Sequence, residues 1–238
     1  MRIRAPPFQI PMPELPERAV LLLSGGMDST TLLWWMKDRG IQDIHTVAVD
    51  YGQRHRIELE ASASLSARAG TVAHRVIDLD LTQIGGSSLT SEEINVPAAE
   101  DRQQTATVVP YRNTLFVAAA AAYGETQGIA DLFISPVLDD HEAYRDCRRV
   151  FYDALENALS LGATHDTTVR IHTPFVTWSK ADVIRVGLEL GVPYADTHTC
   201  YEGTRPACGI CDACVERLAG FRTNGHVDPL DYKTRQPN

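Results

Sequence analysis

Apolar positions along the chain follow two alternating patterns from residue 18 onward. Short runs of branched apolar residues, typical of buried strands, are each followed by a longer segment with helical periodicity that ends at a glycine. The predicted strands are residues 19–24, 44–51, 74–81, 130–138 and 168–175, and the predicted helices are residues 28–40, 55–70, 112–128, 147–162 and 179–191. Strands that alternate with helices predict an α/β fold with a mostly parallel sheet flanked by helices on both faces.

Two stretches of the chain lack either pattern. Residues 1–17 form a proline-rich lead that we expect to be extended or loosely packed, and we assign no chemistry to it. Residues 83–109 are polar and contain paired glycines and serines, which predicts a long loop of the kind that often carries function. In open parallel sheets, ligands bind beyond the carboxyl ends of the strands. The segments to examine are therefore residues 24–30, 50–55 and 135–148.

The composition indicates an acidic globular protein. With 238 residues, of which 44% are hydrophobic, the chain is long enough for one large domain with a small annex. Lys and Arg number 22 against 31 Asp and Glu, so the formal charge of −9 offers no net positive field for nucleic acid. No stretch approaches the roughly 20 apolar residues that span a bilayer, and the N-terminus lacks a signal-peptide pattern. We therefore expect a cytoplasmic protein with neither a membrane partner nor a nucleic-acid partner.

The turn after the first predicted strand has the composition of a phosphate-binding site. Its two glycines can take positive φ and let a phosphate approach the main chain, and hydroxyl groups follow at a helix N-terminus, where the dipole favours an anion. No lysine follows the glycines, so the turn is not a Walker P-loop. Asp28 suits a ligand of Mg²⁺ on a pyrophosphate, although a plain strand-to-helix turn with a capping carboxylate is the alternative. The candidate phosphate-binding residues are Ser24, Gly25, Gly26, Asp28, Ser29 and Thr30.

Four of the five cysteines lie close together near the C-terminus. The spacing C-x7-C-x2-C-x2-C supplies the four thiolates of a tetrahedral structural zinc site, with no position left for water. Such a closed site would hold two loops together and would not itself polarise a substrate. Cysteines that merely pack, or that transfer sulfur, are the alternatives, and the clustering favours metal. The predicted zinc ligands are Cys200, Cys208, Cys211 and Cys214.

The turn sequence S-G-G-x-D-S-[ST] after an N-terminal strand resembles the nucleotide loop of the ATP pyrophosphatase superfamily, whose members cleave ATP between the α and β phosphates. Later motifs narrow the resemblance to the 7-cyano-7-deazaguanine synthase family, in the same order and over about residues 18–232. These motifs are DYGQRH (50–55), GGSSLT (85–90), VPYRN (109–113), YRDCR (144–148), HTPFVTWSK (172–180) and TCYEG…CGICDAC (199–214).

The resemblance implies an adenine-nucleotide α-hydrolase-like, Rossmann-like sheet in an ATP pyrophosphatase domain at residues 18–195, followed by the zinc-binding annex at residues 196–238. It implies ATP, Mg²⁺ and Zn²⁺ as cofactors, and a homodimer. The implied reaction belongs to queuosine biosynthesis. In it, ATP adenylates the carboxylate of 7-carboxy-7-deazaguanine, ammonia displaces AMP to give the amide, and a second adenylation dehydrates the amide to the nitrile.

The resemblance also assigns roles outside the glycine turn. Lys180 and Arg112 would lie near the nucleotide and stabilise charge in adenylyl transfer, although a solvated lysine at a helix start is the alternative for Lys180. His55 is a candidate proton carrier or substrate contact, or else a structural histidine. Asp50 matches the position that receives adenosine. The implied catalytic residues are Asp28, Arg112, Lys180 and His55, and the implied substrate-binding residues are Tyr144, Asp146, Cys147 and Arg148.

Two positions depart from the family pattern. Tyr111 replaces the glycine of V-P-G-R-N, and Arg145 replaces the proline of S-G-Y-P-D-C-R. The tyrosine costs backbone freedom and the arginine adds charge beside Asp146, so we expect both changes to lie next to the reaction. They leave open a deazaguanine-specific ligase that stops at the amide, or that transfers the acyl group to another amine, including a protein amine. A non-catalytic relative is disfavoured because Ser24, Asp28, Ser29 and Lys180 are present, and a tRNA-binding relative is disfavoured by the acidic composition.

Overall fold

The computed structural model describes residues 15–101 and 104–234, so most of the proline-rich lead lies outside the described residues. The strands in these ranges are β1 (Arg18–Leu22), β2 (Asp43–Asp50), β3 (Ala73–Asp78), β4 (Asp131–Phe133) and β5 (Arg170–His172). The helices are α1 (Met27–Asp38), α2 (Ile57–Ala69), α3 (Arg112–Gln127), α4 (Arg149–Gly162), α5 (Lys180–Glu189) and α6 (Asp212–Thr223). Each predicted strand and helix is confirmed with somewhat different bounds. The predicted strand at residues 130–138 shortens most, because Pro136 cannot donate to a ladder and the chain turns away into short 3-10 turns.

The sheet is parallel, as predicted, with the strand order β3-β2-β1-β4-β5 in the part of the chain described. The register pairs Leu21 with Thr46 of β2 on one side and with Phe133 of β4 on the other. From β1 the chain adds β2 and β3 on one side of the sheet, and it then crosses back to add β4 and β5 on the other side of β1. Between β1 and β4 the strand order therefore reverses, and the loops that leave these two strands diverge. Open α/β sheets bind ligands in the crevice at such a point.

Alternate residues of β1 supply the two halves of the core. Val20 packs with Val117 of α3 and Tyr152 of α4 on one face of the sheet. Leu21 packs with residues of α1 and α5 on the other face. A fully buried Val or Leu side chain contributes about 1.5–3 kcal/mol, so burial on both faces makes β1 the anchor of the fold. The turn that follows β1 is therefore held by the best-packed strand.

The long loop predicted at residues 83–109 is confirmed, with short 3-10 turns at Ala99–Asp101 and Gln104–Thr107 among its described residues. It lies against the chain that leaves β2, where the Arg54 N–H donates to the Leu89 carbonyl at 2.8 Å. The hydroxyl groups of Thr107 and Tyr144 lie 2.8 Å apart. The loop thus connects the region after β2 with the region after β4.

The C-terminal region contains α6, which the sequence pattern did not predict. Its buried positions include alanine, cysteine, glycine and arginine, so it lacks the apolar periodicity of an ordinary amphipathic helix. Gly220 lets it approach α5 closely, since a Cβ there would lie 2.5 Å from Ile184 Cδ1. The fully buried Arg217 donates through Nε to Asp228 Oδ2 at 2.7 Å.

The domain boundaries at residues 17/18 and 195/196 stay predictions. No described helix combines the length and apolarity needed to cross a membrane.

Candidate functional site

A cavity of about 260 Å³ opens at the carboxyl ends of β1, β2 and β4. Its walls come from the turn between β1 and α1, the chain after β2, the first turn of α3, the segment after β4, and helices α5 and α6. The structure thus brings together the three segments singled out from the sequence. The predicted site residues that line the cavity are Ser24, Gly26, Asp28, Ser29, His55, Arg112, Tyr144, Cys147 and Lys180.

The two glycines of the β1–α1 turn have different functions. Gly25 has φ +87°, and a Cβ there would lie 2.3 Å from the Glu58 carbonyl oxygen, so only glycine lets the turn pass close to α2. Gly26 has φ −76°, so the expectation of positive φ at this position is wrong. It is the N-cap of α1 and provides no side-chain cap, although it lines the cavity. The uncapped N-terminus of α1 therefore faces the cavity as an anion-binding feature.

The hydroxyl groups of the turn separate into two sets. Ser24 Oγ lies 3.1 Å from Ser29 Oγ and accepts a hydrogen bond from the Gly26 N–H at 3.2 Å, and both serines line the cavity. Thr30 is fully buried, and its hydroxyl donates to the Gly26 carbonyl at 2.7 Å. Thr30 therefore supports the turn from within α1 and does not line the cavity.

Lys180 lies among three carboxylates and is only 9% exposed. Its Nζ is 3.3 Å from Asp28 Oδ2, 3.2 Å from Asp140 Oδ1 and 3.4 Å from Glu216 Oε2. Burial works to lower the pKa of Lys180, but these carboxylates raise it well above its usual value. The alternative of a solvated lysine is therefore wrong. One ammonium group among three carboxylates leaves this end of the cavity with an excess of negative charge.

Two of the carboxylates around Lys180 have raised pKa values, and one of them has an oxygen without a hydrogen-bond partner. Burial raises the pKa of Asp28 above its usual value, while Lys180 opposes the shift. Asp28 Oδ1 is buried without a hydrogen-bond partner in the described part of the chain. Burial also raises the pKa of Glu216 to about 7. Carboxylate oxygens in this condition suit a hard cation such as Mg²⁺.

Arg112 also lines the cavity, with its guanidinium among aromatic residues. Its guanidinium carbon is 6.0 Å from the ring centre of Tyr51. Burial works to lower the pKa of Arg112, but the neighbouring Tyr51, Tyr201 and Tyr144 raise it above its usual value. Within residues 15–101 and 104–234, no carboxylate lies within 4.0 Å of this guanidinium. Arg112 is therefore a cation available to an anionic ligand.

His55 is buried beside Arg112 and is not a cation. Its Nε2 lies 3.3 Å from the Tyr51 hydroxyl, while its Nδ1 is buried without a partner among the described residues. Burial, assisted by the charge of Arg112, lowers the pKa of His55 to about 3. The imidazole is therefore neutral at physiological pH, where it can donate through one nitrogen and accept through the other.

The predicted substrate segment after β4 is only partly in the cavity. Cys147 lines it, and burial raises the pKa of this thiol to about 12, so it is not a thiolate nucleophile. Asp146 and Arg148 do not line the cavity, and Arg148 donates to the His141 carbonyl at 2.7 Å. Asp50 also lies outside the cavity, paired with Arg56.

The two departures from the family pattern are exposed residues outside the cavity lining. Tyr111 is 79% exposed, and its φ of +56° is the only positive value at a non-glycine residue of the described chain. Arg145 is exposed as well. Neither residue lines the cavity, although their chain neighbours Arg112 and Tyr144 do, so the expectation that both lie next to the reaction stays a prediction.

The four clustered cysteines form a compact buried group. Their Sγ atoms all lie within 4.8 Å of one another, with Cys208 and Cys214 at 3.8 Å. Sulfur atoms of a tetrahedral zinc site with Zn–S near 2.3 Å are about 3.8 Å apart. The main-chain N–H groups of Ile210 and Cys211 each donate to Cys208 Sγ at 3.4 Å, which favours a thiolate. The residues therefore fit zinc. None of the four lines the cavity, but Tyr201 and Glu216, next to this cluster, do.

Three carboxylates of the cavity were not predicted. Asp140 lies in the segment after β4 that was singled out, and its position after a strand was a usable signal. Glu216 lies on the unpredicted helix α6. Glu58 lies in the first turn of α2, three residues after His55. An acidic residue in a first helical turn ordinarily indicates only a favourable interaction with the helix dipole. No local pattern distinguishes the last two from surface carboxylates.

The family model for the queuosine biosynthesis protein QueC matches residues 18–225. The chain belongs to the QueC family. A protein named 7-cyano-7-deazaguanine synthase from Clostridium kluyveri is 39% identical, over 91% of this chain and 98% of that protein. Proteins of the same name are 42% identical in Thermoplasma acidophilum, over 91% of this chain and 92% of that protein, and 42% identical in Rhodopirellula baltica, over 89% and 90%. The resemblance drawn from the sequence motifs is confirmed.

Solved structures extend the comparison to the fold. The structure of NMN synthetase from Francisella tularensis is similar with a TM-score of 0.50 and 14% identity, over 88% of this chain and 78% of that chain. At this identity the likeness concerns the fold alone. It confirms the adenine-nucleotide α-hydrolase-like architecture expected for the QueC family.

Proposed function

We propose that this chain is an AMP-forming, ATP-dependent C–N ligase that converts 7-carboxy-7-deazaguanine and ammonia to 7-cyano-7-deazaguanine. Membership of the QueC family and the names of its relatives support this function. The observation that carries it is a single cavity with a glycine turn at the end of β1, a lysine among carboxylates on one side, and an arginine without a carboxylate partner on the other. Such a cavity suits a nucleoside triphosphate and a carboxylic acid together.

ATP binds with its phosphates at the β1–α1 turn. The uncapped N-terminus of α1 and the hydroxyls of Ser24 and Ser29 donate to phosphate oxygens. Lys180 stabilises the charge that develops as pyrophosphate leaves. The adenine lies against the apolar wall after β1 and β2. Gly25, Thr30 and Asp50 support this binding from outside the cavity, since they hold the turn and the end of β2 in place.

The acid substrate binds with its carboxylate at Arg112. A guanidinium forms strong, geometrically specific bonds with a carboxylate, and here no protein carboxylate of the described chain competes for it. Tyr144 and Cys147 line the pocket for the ring, while Asp146 and Arg148 hold the segment that carries them. His55 contributes a neutral imidazole beside the carboxylate. Holding the acid, ATP and ammonia in one enclosed site removes the entropic cost of assembly and protects the adenylate from hydrolysis.

Two metal ions complete the proposal. Asp28 and Asp140 hold Mg²⁺, and the buried unpartnered Oδ1 of Asp28 supports this assignment. When bound there, Mg²⁺ would neutralise part of the negative charge on the pyrophosphate. Cys200, Cys208, Cys211 and Cys214 hold a structural Zn²⁺, which stabilises the C-terminal region that supplies α6.

The amide-forming ligase was suggested by Tyr111 and Arg145, which depart from the family pattern. Because both side chains are exposed outside the cavity, they give no support to a changed reaction. The nitrile is therefore the proposed product, with the amide as an intermediate.

A homodimer and a cytoplasmic location are part of the proposal and rest on the family resemblance. Light scattering tests the first: a mass near 26.2 kDa, that of one chain, would contradict it. Cell fractionation tests the second.

Mass spectrometry of a reaction with purified protein, ATP, Mg²⁺, 7-carboxy-7-deazaguanine and ammonium tests the central proposal. We expect AMP and the nitrile. A product that stops at the amide, or that forms only with another added amine, would favour the amide-forming ligase. No AMP at all would contradict both functions.

A further inference from the structure

Glu58 differs from the other carboxylates of the cavity. Asp28, Asp140 and Glu216 all contact the Lys180 ammonium group. Of the described residues that line the cavity, Glu58 is the remaining carboxylate, and it has no contact with Lys180. Its side chain is 13% exposed and lies on the Arg112 side of the cavity. It is therefore a buried carboxylate that serves neither the lysine nor the proposed magnesium ligands.

The Glu58 side chain is oriented by a fixed partner. Gln53 Nε2 donates to Glu58 Oε1 at 3.0 Å and to the Val49 carbonyl at 3.2 Å, and Gln53 Oε1 accepts from the Tyr51 N–H at 2.8 Å. Gln53 is 1% exposed, so the end of β2 locks it in place. The other carboxylate oxygen, Oε2, lies 3.6 Å from His55 Nε2. A titratable group in a cleft, held by a second buried residue, has the arrangement of a base and its orienting partner.

The proposed reaction requires a proton acceptor near nitrogen in two of its steps. When ammonia attacks the acyl adenylate, a C–N bond forms, the C–O bond to AMP breaks and a proton must leave nitrogen. When the adenylated amide collapses to the nitrile, the second C–O bond to AMP breaks and the remaining N–H protons leave as the C≡N bond forms. Both steps need a base in the cavity, and neither needs a further oxidant or reductant.

We infer that Glu58 is the catalytic base that accepts these protons from nitrogen, oriented by Gln53; this inference rests on the proposed function. The carboxylate takes one proton when ammonia attacks and then, in the nitrile-forming step, the two amide protons one after the other, and it returns each proton to solvent before it accepts the next. The other groups at this end are unsuited to the task. Cys147 and Tyr51 have raised pKa values and stay protonated, and His55 is held neutral with a pKa of about 3, which makes it a weak base.

The charges around Glu58 agree with this role. Burial raises the pKa of Glu58 to about 8, while the Gln53 hydrogen bond and Arg112 lower it and Asp50 raises it further. His55, neutral in this environment, and the Tyr51 phenol, whose pKa Glu58 raises, are further titratable neighbours. A base with a pKa close to the working pH combines a useful fraction of the deprotonated form with a strong drive to accept a proton.

The test compares E58Q with wild type in two reactions. The first is ATP–pyrophosphate exchange that depends on 7-carboxy-7-deazaguanine, which reports adenylation without ammonia. The second is nitrile formation with ammonium. We expect E58Q to keep the exchange near the wild-type rate and to lose about 100-fold or more in nitrile formation. At a fixed concentration of free ammonia, wild-type nitrile formation should also rise with pH up to about 8, and the residual rate of E58Q should lack this rise.

Glu60→Gln is the matched control, since Glu60 is exposed on the same helix and lies outside the cavity. If E58Q does not fold, Glu58→Asp keeps a carboxylate at a different reach and should show the same separation between the two reactions. Nitrile formation by E58Q within tenfold of wild type would overturn the inference. So would loss of exchange and nitrile together in folded E58Q, because that result assigns Glu58 to substrate binding. Failure of the proposed function looks different: the wild type itself would show no acid-dependent exchange.

Discussion

The cavity is lined by two cations, Lys180 and Arg112, whose surroundings differ, and we call these surroundings the lysine end and the arginine end. Lys180 contacts three carboxylates drawn from α1, the segment after β4 and α6. Arg112 lies among tyrosine rings with no carboxylate partner in the described chain. The lysine end thus holds excess negative charge that suits a metal ion and its phosphates, while the arginine end holds positive charge that suits a free carboxylate. Under the proposed function, one cavity would thereby bind its two anionic substrates at different residues.

The C-terminal region supports both ends at once, so disrupting its cysteines should have the largest effect. Tyr201 follows Cys200 at the arginine end, and Glu216 follows Cys214 at the lysine end. We expect Cys208→Ser to lose zinc, to lower the free energy of unfolding by several kcal/mol and to abolish activity. Metal analysis, calorimetry and the nitrile assay measure these effects. Cys147→Ser, which lies outside the cluster, should keep its zinc. Retention of both zinc and activity by Cys208→Ser would separate the cluster from the site.

Lys180→Met tests the lysine end. Removal of the ammonium group leaves three neighbouring carboxylates without their cation, which should destabilise the fold by about 3–5 kcal/mol at pH 8 and slow the reaction by about 100-fold or more. The loss of stability should be smaller at pH 5.5, because burial raises the pKa values of Asp28 and Glu216 and protonation then relieves the repulsion. Urea unfolding at both pH values measures this difference. Lys37→Met on α1 is the control, and equal stability of Lys180→Met and wild type at pH 8 would contradict the expectation.

Arg112→Gln tests the arginine end and should give a different result. Because no carboxylate of the described chain lies within 4.0 Å of the guanidinium, its removal breaks no ion pair and only withdraws a charge that lowers the pKa of Glu58, so stability should change little. The KM for 7-carboxy-7-deazaguanine should rise about 10–100-fold while the KM for ATP stays nearly constant. Steady-state kinetics with each substrate varied separately measures this. Arg145→Gln, an exposed change nearby, should leave both constants unchanged. A parallel rise in both KM values would mean that Arg112 serves the nucleotide instead.

Glu58→Gln also makes a prediction about stability, independent of catalysis. The folded pKa of Glu58 is raised to about 8, above its usual value, so the contribution of this group to stability is fully present at acidic pH and is lost as pH rises through 8. The amide of the Gln variant does not ionise, so the stability of the variant does not fall in this way as pH rises. At pH 9 the variant should therefore be more stable than wild type by roughly 2–4 kcal/mol, with little difference at pH 4.5. Unfolding curves across this range measure the effect, and a pH-independent difference would contradict it.

The smallest expected effect is at Tyr111, on the rim outside the cavity. This residue has φ +56°, where a side chain costs about 1 kcal/mol and glycine does not. Tyr111→Gly, which restores the family residue, should raise stability by up to about 1 kcal/mol and leave kinetics unchanged. A thermal unfolding curve and the nitrile assay measure both. A large kinetic change would show that the exposed ring takes part in the reaction after all.

The sequence by itself determined the local features. The alternating strand and helix patterns depend on side-chain periodicity within each segment, so the α/β class and the parallel sheet were predictable. The glycine turn and the cysteine spacing are also local, because backbone freedom and metal geometry restrict residues a few positions apart. These features were sufficient to predict a phosphate-binding turn and a set of zinc ligands, and to identify the family.

Only the tertiary structure decided the environment of each charged group. Lys180 and Arg112 look alike as isolated cations, and their difference arises from residues that are distant in sequence but meet across the sheet. Helix α6 was missed because its buried face includes arginine, cysteine and glycine, so the Glu216 it carries was missed too. Glu58 was not predicted and lines the cavity, whereas Asp146 was predicted and does not line it. Burial and charge are sums over all neighbours in space, and a linear pattern records only neighbours along the chain.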